Sequence, residues 1–399
     1  MNWELITDQR RFAELLPSWA MADTIALDTE FMRVNTFNPQ PALTQLNINN
    51  ALYLVDPVAL DTTDIGPIFA NPNSLKILHA CSEDIEVFFH QYPQHKMTHI
   101  FDTQVGLAFL GYGLQIGYQR ALKDFLNVDI SKAETRSDWL ARPLSPDQLR
   151  YAASDVEHLP NLYAFVSGQL KERQLFDYCL EDCQLMLKEG APVPPMLTIY
   201  QQFSNAWQFS RRELSLLKML AMWREGSARL HNIPRTFVLK NHTLLAIVQE
   251  APQTLAKLSR IEDLHPKTYQ KHGQMILEIV KQSKDKPDEL CPPLLPLPLP
   301  KQAKSVFDEL KAIAEGVAKQ HQIPSDVLLR KRWLDSLVLG YIDHGESAEL
   351  PLALQGWRYE MLTKPLLAAL ANKQEQLLLW RNYRHRKSVT ETRHDRENT

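Results

Sequence analysis

The second half of this chain carries one small segment twice, ninety positions apart. Leu216, Leu217, Leu220 and Ala228 recur as Val306, Phe307, Leu310 and Ala318, and His231, Ile233, Pro234, Leu239, Lys240, Leu244 and Val248 recur as His321, Ile323, Pro324, Leu329, Arg330, Leu334 and Val338. Apolar positions that keep helical spacing and match at one offset call for a single small helical module used twice. Ser210, with Glu213 three residues on, is a capping box that opens the first copy. Proline-rich stretches border the copies, Ala191 to Pro195 before the first and Cys291 to Pro300, with five prolines, between them. Neither helix nor central strand tolerates that density, so both stretches are predicted linkers. Each copy has about 75 residues, enough for one bundle core.

The 399 residues have a formal net charge of -3, which hides an asymmetry. Residues 1–200 carry 14 Lys+Arg against 25 Asp+Glu, net -11, whereas residues 201–399 carry 30 against 22, net +8. A basic half implies a polyanionic partner. No apolar run approaches the ~18 residues of a membrane span, and the first eleven residues lack a basic-then-apolar signal pattern, so the expectation is a soluble cytoplasmic protein without a membrane partner. Four cysteines without a CxxC pair exclude a disulfide scaffold. Gly111-Tyr112-Gly113-Leu114-Gln115-Ile116-Gly117 misplaces the third glycine of a dinucleotide fingerprint, and neither a phosphate-binding GxxxxGK[ST] nor a GxSxG elbow is present.

The first 190 residues read differently from the helical repeats. Thr24 to Phe31, Ala42 to Ile48, Leu52 to Asp56 and Leu75 to Ala80 are short, apolar or alternating runs bounded by Pro, Asn or Asp, and so are predicted strands. The first three suit a meander and the fourth leads into a helical pattern, which makes an α/β domain with a mixed sheet.

Acids stand in that domain where packing does not ask for them. In the strand around Leu27-Asp28-Thr29-Glu30-Phe31, alternation puts Asp28 and Glu30 on one face, about 7 Å apart. Like charges so placed repel unless a cation lies between them, and hard oxygen ligands call for Mg²⁺ or Mn²⁺. In His79-Ala80-Cys81-Ser82-Glu83-Asp84, Ser82 is the predicted N-cap and Asp84 falls in the first helical turn, a place that favours a carboxylate in any case. Ser145-Pro146-Asp147-Gln148 marks another helix start, after which Tyr151 and Asp155 share a face at i, i+4.

Together these segments resemble the Exo I, II and III motifs of the DEDD exonuclease superfamily. Within it, Phe101-Asp102-Thr103-Gln104 and Ser137-Asp138-Trp139-Leu140-Ala141-Arg142-Pro143-Leu144, leading to Tyr151-Ala152-Ala153-Ser154-Asp155, resemble the bacterial ribonuclease D family. The two repeats resemble its paired helicase-and-RNase-D C-terminal (HRDC) domains, so the likeness spans about residues 1–370. Arg150 stands where the histidine subclass has its histidine, which points to the tyrosine subclass. The resemblance implies a ribonuclease-H-like α/β exonuclease domain over residues 1–190, HRDC-like all-α bundles over 205–290 and 301–372, and a basic, disordered tail over 373–399. It implies a metal-dependent 3'-to-5' exoribonuclease that releases nucleoside 5'-monophosphates. Two divalent ions, Mg²⁺ or Mn²⁺, would be held by Asp28, Glu30, Asp84 and Asp155, with Asp28 bridging both, Glu30 and Asp155 completing the site of the nucleophilic water, Asp84 acting through water and Tyr151 orienting the attack. The expected partner is RNA, tRNA precursors above all, bound by a monomer. Arg136, Trp139 and Arg142 are candidate substrate contacts as cation and stacking surface. Arg211, Arg212, Lys218, Arg224, Arg229, Arg235 and Lys240 form the densest basic stretch of the modules. A DNA 3'-to-5' exonuclease and a non-catalytic RNA-binding scaffold are the alternatives, since the same carboxylates serve either nucleic acid.

Overall fold

The computed structural model describes residues 2–130, 137–190 and 195–385. They fall into two compact units, one within Met1–Arg33, Pro39–Pro192 and Ser305–Asn372, the other within Val34–Asn38, Val193–Lys304 and Lys373–Thr399.

The first unit is built on a mixed six-stranded sheet in the order β1-β4-β3-β2-β5-β6, where β1 is Trp3–Ile6, β2 Thr24–Met32, β3 Gln40–Ile48, β4 Ala51–Val55, β5 Leu75–Leu78 and β6 Ile100–Asp102. The expected meander is β2-β3-β4, antiparallel throughout. Asn49 and Asn50 close its second hairpin, both at positive φ, which asparagine tolerates and a tight hairpin turn demands. β1 joins β4, β5 joins β2 and β6 joins β5 in parallel. The four predicted strands lie within two residues of the observed ends. β1 and β6 escape the sequence because four and three residues are too few to display alternation.

The Pro146–Glu157 helix starts in the predicted capping box of Ser145 and Gln148. Its Ala152, Ala153 and Val156 pack on Ala42, Leu43, Leu52 and Leu54 of β3 and β4. Asn47 on β3 donates to the carbonyls of Val156 and Glu157, satisfying the end of that helix. The helix is thus held to the sheet by one stripe and at its C-terminus, which leaves the stripe bearing Tyr151 and Asp155 beside β2.

The second copy of the repeat belongs to this unit. Arg358, 1% exposed, donates to both carboxylate oxygens of Asp182 at 2.5 and 2.6 Å and to the carbonyls of Val327 and Leu328. Trp357 stacks on Tyr178 with ring centroids 4.7 Å apart. Gly356, at φ +57°, lies so close to Glu181 that a β-carbon would collide with its carboxylate. Residues 301–372 and 1–190, read from sequence as separate domains, are therefore joined by a buried ion pair that no local pattern reveals. Removing one partner of such a pair strands the other charge, so Asp182→Ala is expected to cost about 3 to 5 kcal/mol in urea unfolding. A loss below about 1 kcal/mol would show that the pair does not secure the module.

In the second unit the Arg211–Leu230 helix opens in the predicted capping box of Ser210 and Glu213. Leu214, Leu217 and Leu220 from it meet Leu244, Ile247, Ile276 and Val280 in the core. Arg211 donates to the carbonyls of Cys291 and Pro292, strapping the start of the proline-rich linker to the bundle. The segment Val34–Asn38 also belongs here: Phe37 lies under the guanidiniums of Arg229 and Arg235, and the Asn38 N–H donates to Asn232 at 3.0 Å.

The tail expected to be disordered from 373 is helical over Gln374–His385. Leu377, Trp380 and Arg384 are buried at i, i+3 and i+7, a narrow stripe that the polar composition of the segment masks. Residues 386–399, like the 191–194 part of the first proline cluster, lie outside the described residues. No helix among the described residues is long and apolar enough to cross a membrane.

Candidate active site

Asp28 and Glu30 come from β2, near the middle of the sheet, and Asp155 from the Pro146–Glu157 helix. The three carboxylates each offer an oxygen within 4.8 Å of the others. Asp84 stands outside this triad but within its field. It lies at the start of the Ser82–Gln91 helix, is 7% exposed, and accepts a hydrogen bond from the hydroxyl of Thr29, which sits between Asp28 and Glu30. Ser82 is the first helical residue and Cys81 the cap, with no side-chain capping bond, one position earlier than predicted. Asp102 does the holding instead. Its buried carboxylate accepts the N–H groups of Ala80, Cys81 and Gln104 at 2.8 to 3.0 Å. That pins Ala80 at φ +60° and sets where the helix bearing Asp84 begins.

The electrostatics are those of an unneutralised anionic cluster. Burial, then repulsion from Asp84, Asp155 and Glu30, pushes the Asp28 carboxyl well above its usual range. Burial followed by Asp155 and Asp84 raises Glu30 to about 9. Burial raises Asp155 to about 7 although the Tyr151 hydroxyl donates to it, and raises Asp84 to about 6 despite the bond from Thr29. Carboxylates converging at such cost fit a hard divalent cation, which replaces mutual repulsion by attraction. Asp28, Glu30 and Asp155 are the residues placed to hold one. Burial and Asp155 likewise keep the Tyr151 phenol protonated, so it is a donor at neutral pH.

The candidate substrate contacts fare differently. Arg136 lies outside the described residues. Trp139 is 2% exposed, in the core beneath the catalytic helix, with its ring 6.0 Å from that of Tyr151. It has no free face for a base and instead buttresses the phenol. Arg142 makes five hydrogen bonds, two to Asp56 and the others to the carbonyls of Trp139, Ala141 and Ala42. A guanidinium has five N–H groups, so none is left for a phosphate. These two residues correct the sequence reading: their motif serves the loop that precedes the helix.

Most of the basic stretch in the first module is also internally satisfied. Arg212 bonds the carbonyls of Lys284 and Lys286 and pairs with Asp288, and Arg224 bonds the Leu239 carbonyl and Asn241. Arg229 and Arg235 share the fully buried carboxylate of Glu225. Thr29, Asp102 and Glu225 are the working residues that sequence reasoning missed. For Asp102 the flanking Phe101-Asp102-Thr103-Gln104 segment was a signal, while Thr29 and Glu225 left none.

Comparison with known proteins agrees with this geometry. Residues 3–171 match the 3'-5' exonuclease family, 213–280 the HRDC domain, and 302–366 the ribonuclease D C-terminal HRDC domain. The chain is 36% identical to ribonuclease D of Pseudomonas paraeruginosa over 368 residues, 92% of this chain and 96% of that protein. It is 31% identical to ribonuclease D of Escherichia coli over 371 residues, 92% and 98% of the two chains. The crystal structure of Escherichia coli RNase D, described as an exoribonuclease involved in structured RNA processing, superimposes with a TM-score of 0.88 at 30% identity, covering 93% of this chain and 99% of that one.

Proposed function

This chain belongs to the ribonuclease D family and is a 3'-to-5' exoribonuclease, and from that premise we propose that it trims the 3' ends of structured RNAs, tRNA precursors above all, releasing nucleoside 5'-monophosphates. The observation that carries the site assignment is the convergence of Asp28, Glu30 and Asp155 from a strand and a helix, with Tyr151 bonded to Asp155 and Asp84 held alongside by Thr29. Two Mg²⁺ or Mn²⁺ ions bound by Asp28, Glu30, Asp84 and Asp155 would lower the pKa of the attacking water and offset charge on the departing 3'-oxygen.

The chain's own residues supply the rest. Tyr151, a phenol that stays protonated and is backed by Trp139, orients the water toward phosphorus. Water adds to the phosphorus, the bond to the 3'-oxygen breaks, that oxygen leaves on the shortened RNA as a hydroxyl, and the terminal nucleotide departs with a 5'-phosphate. The catalytic domain is assigned to residues 1–190 and HRDC-like modules to 205–290 and 301–372, acting as a monomer in the cytoplasm.

The test is to incubate a 3'-extended tRNA and a matched single-stranded DNA with Mg²⁺, with and without chelator, and to follow mononucleotides. Chelator-sensitive release from the RNA is expected. Release that ignores chelator would overturn the metal assignment, and faster release from DNA would make the chain a DNA exonuclease. Tyr151→Phe is expected to lower kcat about 10²-fold with little change in KM. A kcat within about twofold of the parent would remove the tyrosine from the mechanism.

A further inference from the structure

With the arginines of the first module committed internally, its unspent positive charge gathers in one cavity. Lys240, Lys267 and Lys271 line a hollow of about 360 Å³ together with Phe237, Thr243 and Asp263. All three lysines are exposed, and none has a hydrogen bond or ion pair at its ammonium among the described residues. The one carboxylate of the lining, Asp263, is engaged by His242 at 3.1 Å. Two helices start at this hollow, Asn241–Glu250 directly after Lys240 and Pro266–Asp285 with Lys267 in its first turn, so the positive ends of two helix dipoles add to the ammonium charges. At the rim Phe237 is 56% exposed, a large apolar ring with no packing reason to face water.

The repeat sharpens the point. Ninety positions on, Phe237 becomes Val327, which is buried, and Lys240 becomes Arg330, which lies over Trp333. The same scaffold without the aromatic rim and the free lysine is a packing module, so the first copy's surface is not a by-product of the fold.

We propose that this cavity seats the RNA backbone, with successive phosphates along Lys240, Lys267 and Lys271 and one base stacked on Phe237. The proposal rests on the exoribonuclease reading above and names where the body of its substrate is held. Phosphate contacts and stacking leave different signatures, because only the former release counterions.

The experiment measures binding of a 3'-extended tRNA to the full chain in chelator across a salt series, and turnover of an RNA dinucleotide with Mg²⁺. The triple variant K240Q/K267Q/K271Q is expected to flatten the slope of log affinity against log salt by about 2 to 3. Phe237→Ala is expected to weaken binding about tenfold by the same factor at every salt concentration. Dinucleotide turnover should stay at the parent level in both, and arginine at the three positions should restore the slope. An unchanged slope in the triple variant, or unchanged affinity in Phe237→Ala, overturns the proposal while leaving the exoribonuclease reading intact. Absence of nucleotide release from any RNA by the parent chain would instead sink that reading.

Discussion

Asp28→Asn is expected to lower release of mononucleotides from a 3'-extended RNA by at least about 10³-fold while leaving RNA affinity within about twofold. Asparagine keeps the shape of the side chain and removes the charge that the other carboxylates raise so strongly, so the loss is electrostatic and not steric. The same change relieves repulsion on Glu30 and Asp155, both held above their ordinary range in part by neighbouring acids. The inactive variant should therefore unfold at a higher temperature than the parent in chelator at pH 8. Equal loss of turnover and of RNA affinity, or a lower Tm in chelator, would contradict the assignment of Asp28 to a cation site.

The second large effect is a pH dependence of stability that metal abolishes. In the folded chain without metal Asp84 titrates at about 6, Asp155 at about 7 and Glu30 at about 9. In the unfolded chain ordinary carboxyls lose their protons near pH 4. Between those values the unfolded state binds fewer protons, so stability present below pH 4 drains away as pH rises and is gone above pH 9. Each unit of upward shift withdraws about 1.4 kcal/mol, and even a heavily discounted total of about 3 kcal/mol lowers Tm by about 10 °C between pH 5 and 9. Saturating Mg²⁺ should flatten that slope, since the cation favours the ionised carboxylates that the folded site otherwise penalises. Thermal melts in chelator and in Mg²⁺ make the comparison, and parallel slopes in the two series would mean that the acids do not share a cation. Asp28→Asn, with one acid fewer, should show the shallower slope in chelator.

How far the site was legible in the sequence depends on the range of the signal. The carboxylates could be found because alternation along β2 and the i, i+4 step from Tyr151 to Asp155 are local regularities, and because two helix starts were marked by capping boxes. Arg142 and Trp139 were misread for the opposite reason. An arginine and a tryptophan before a catalytic helix have the right chemistry to meet RNA, and only the position of Asp56, 86 residues away, shows that the arginine is spent on the fold. Arg229 and Arg235 read as open charge until the buried Glu225 is seen between them.

By itself the sequence determined that this chain has an acidic α/β half carrying the acids of a DEDD site and a basic half made of one helical module repeated. Periodicity, capping and repeat offset are written over a few residues at a time, and so survive without coordinates. Only the tertiary structure decided that the second module joins the catalytic unit through Arg358 and Asp182, that Thr29 and Asp102 position Asp84, and that the free cations of the first module are Lys240, Lys267 and Lys271 in their cavity. The reason is that a charge is free or committed according to its partner in space. Those partners lie up to 176 residues apart along the chain.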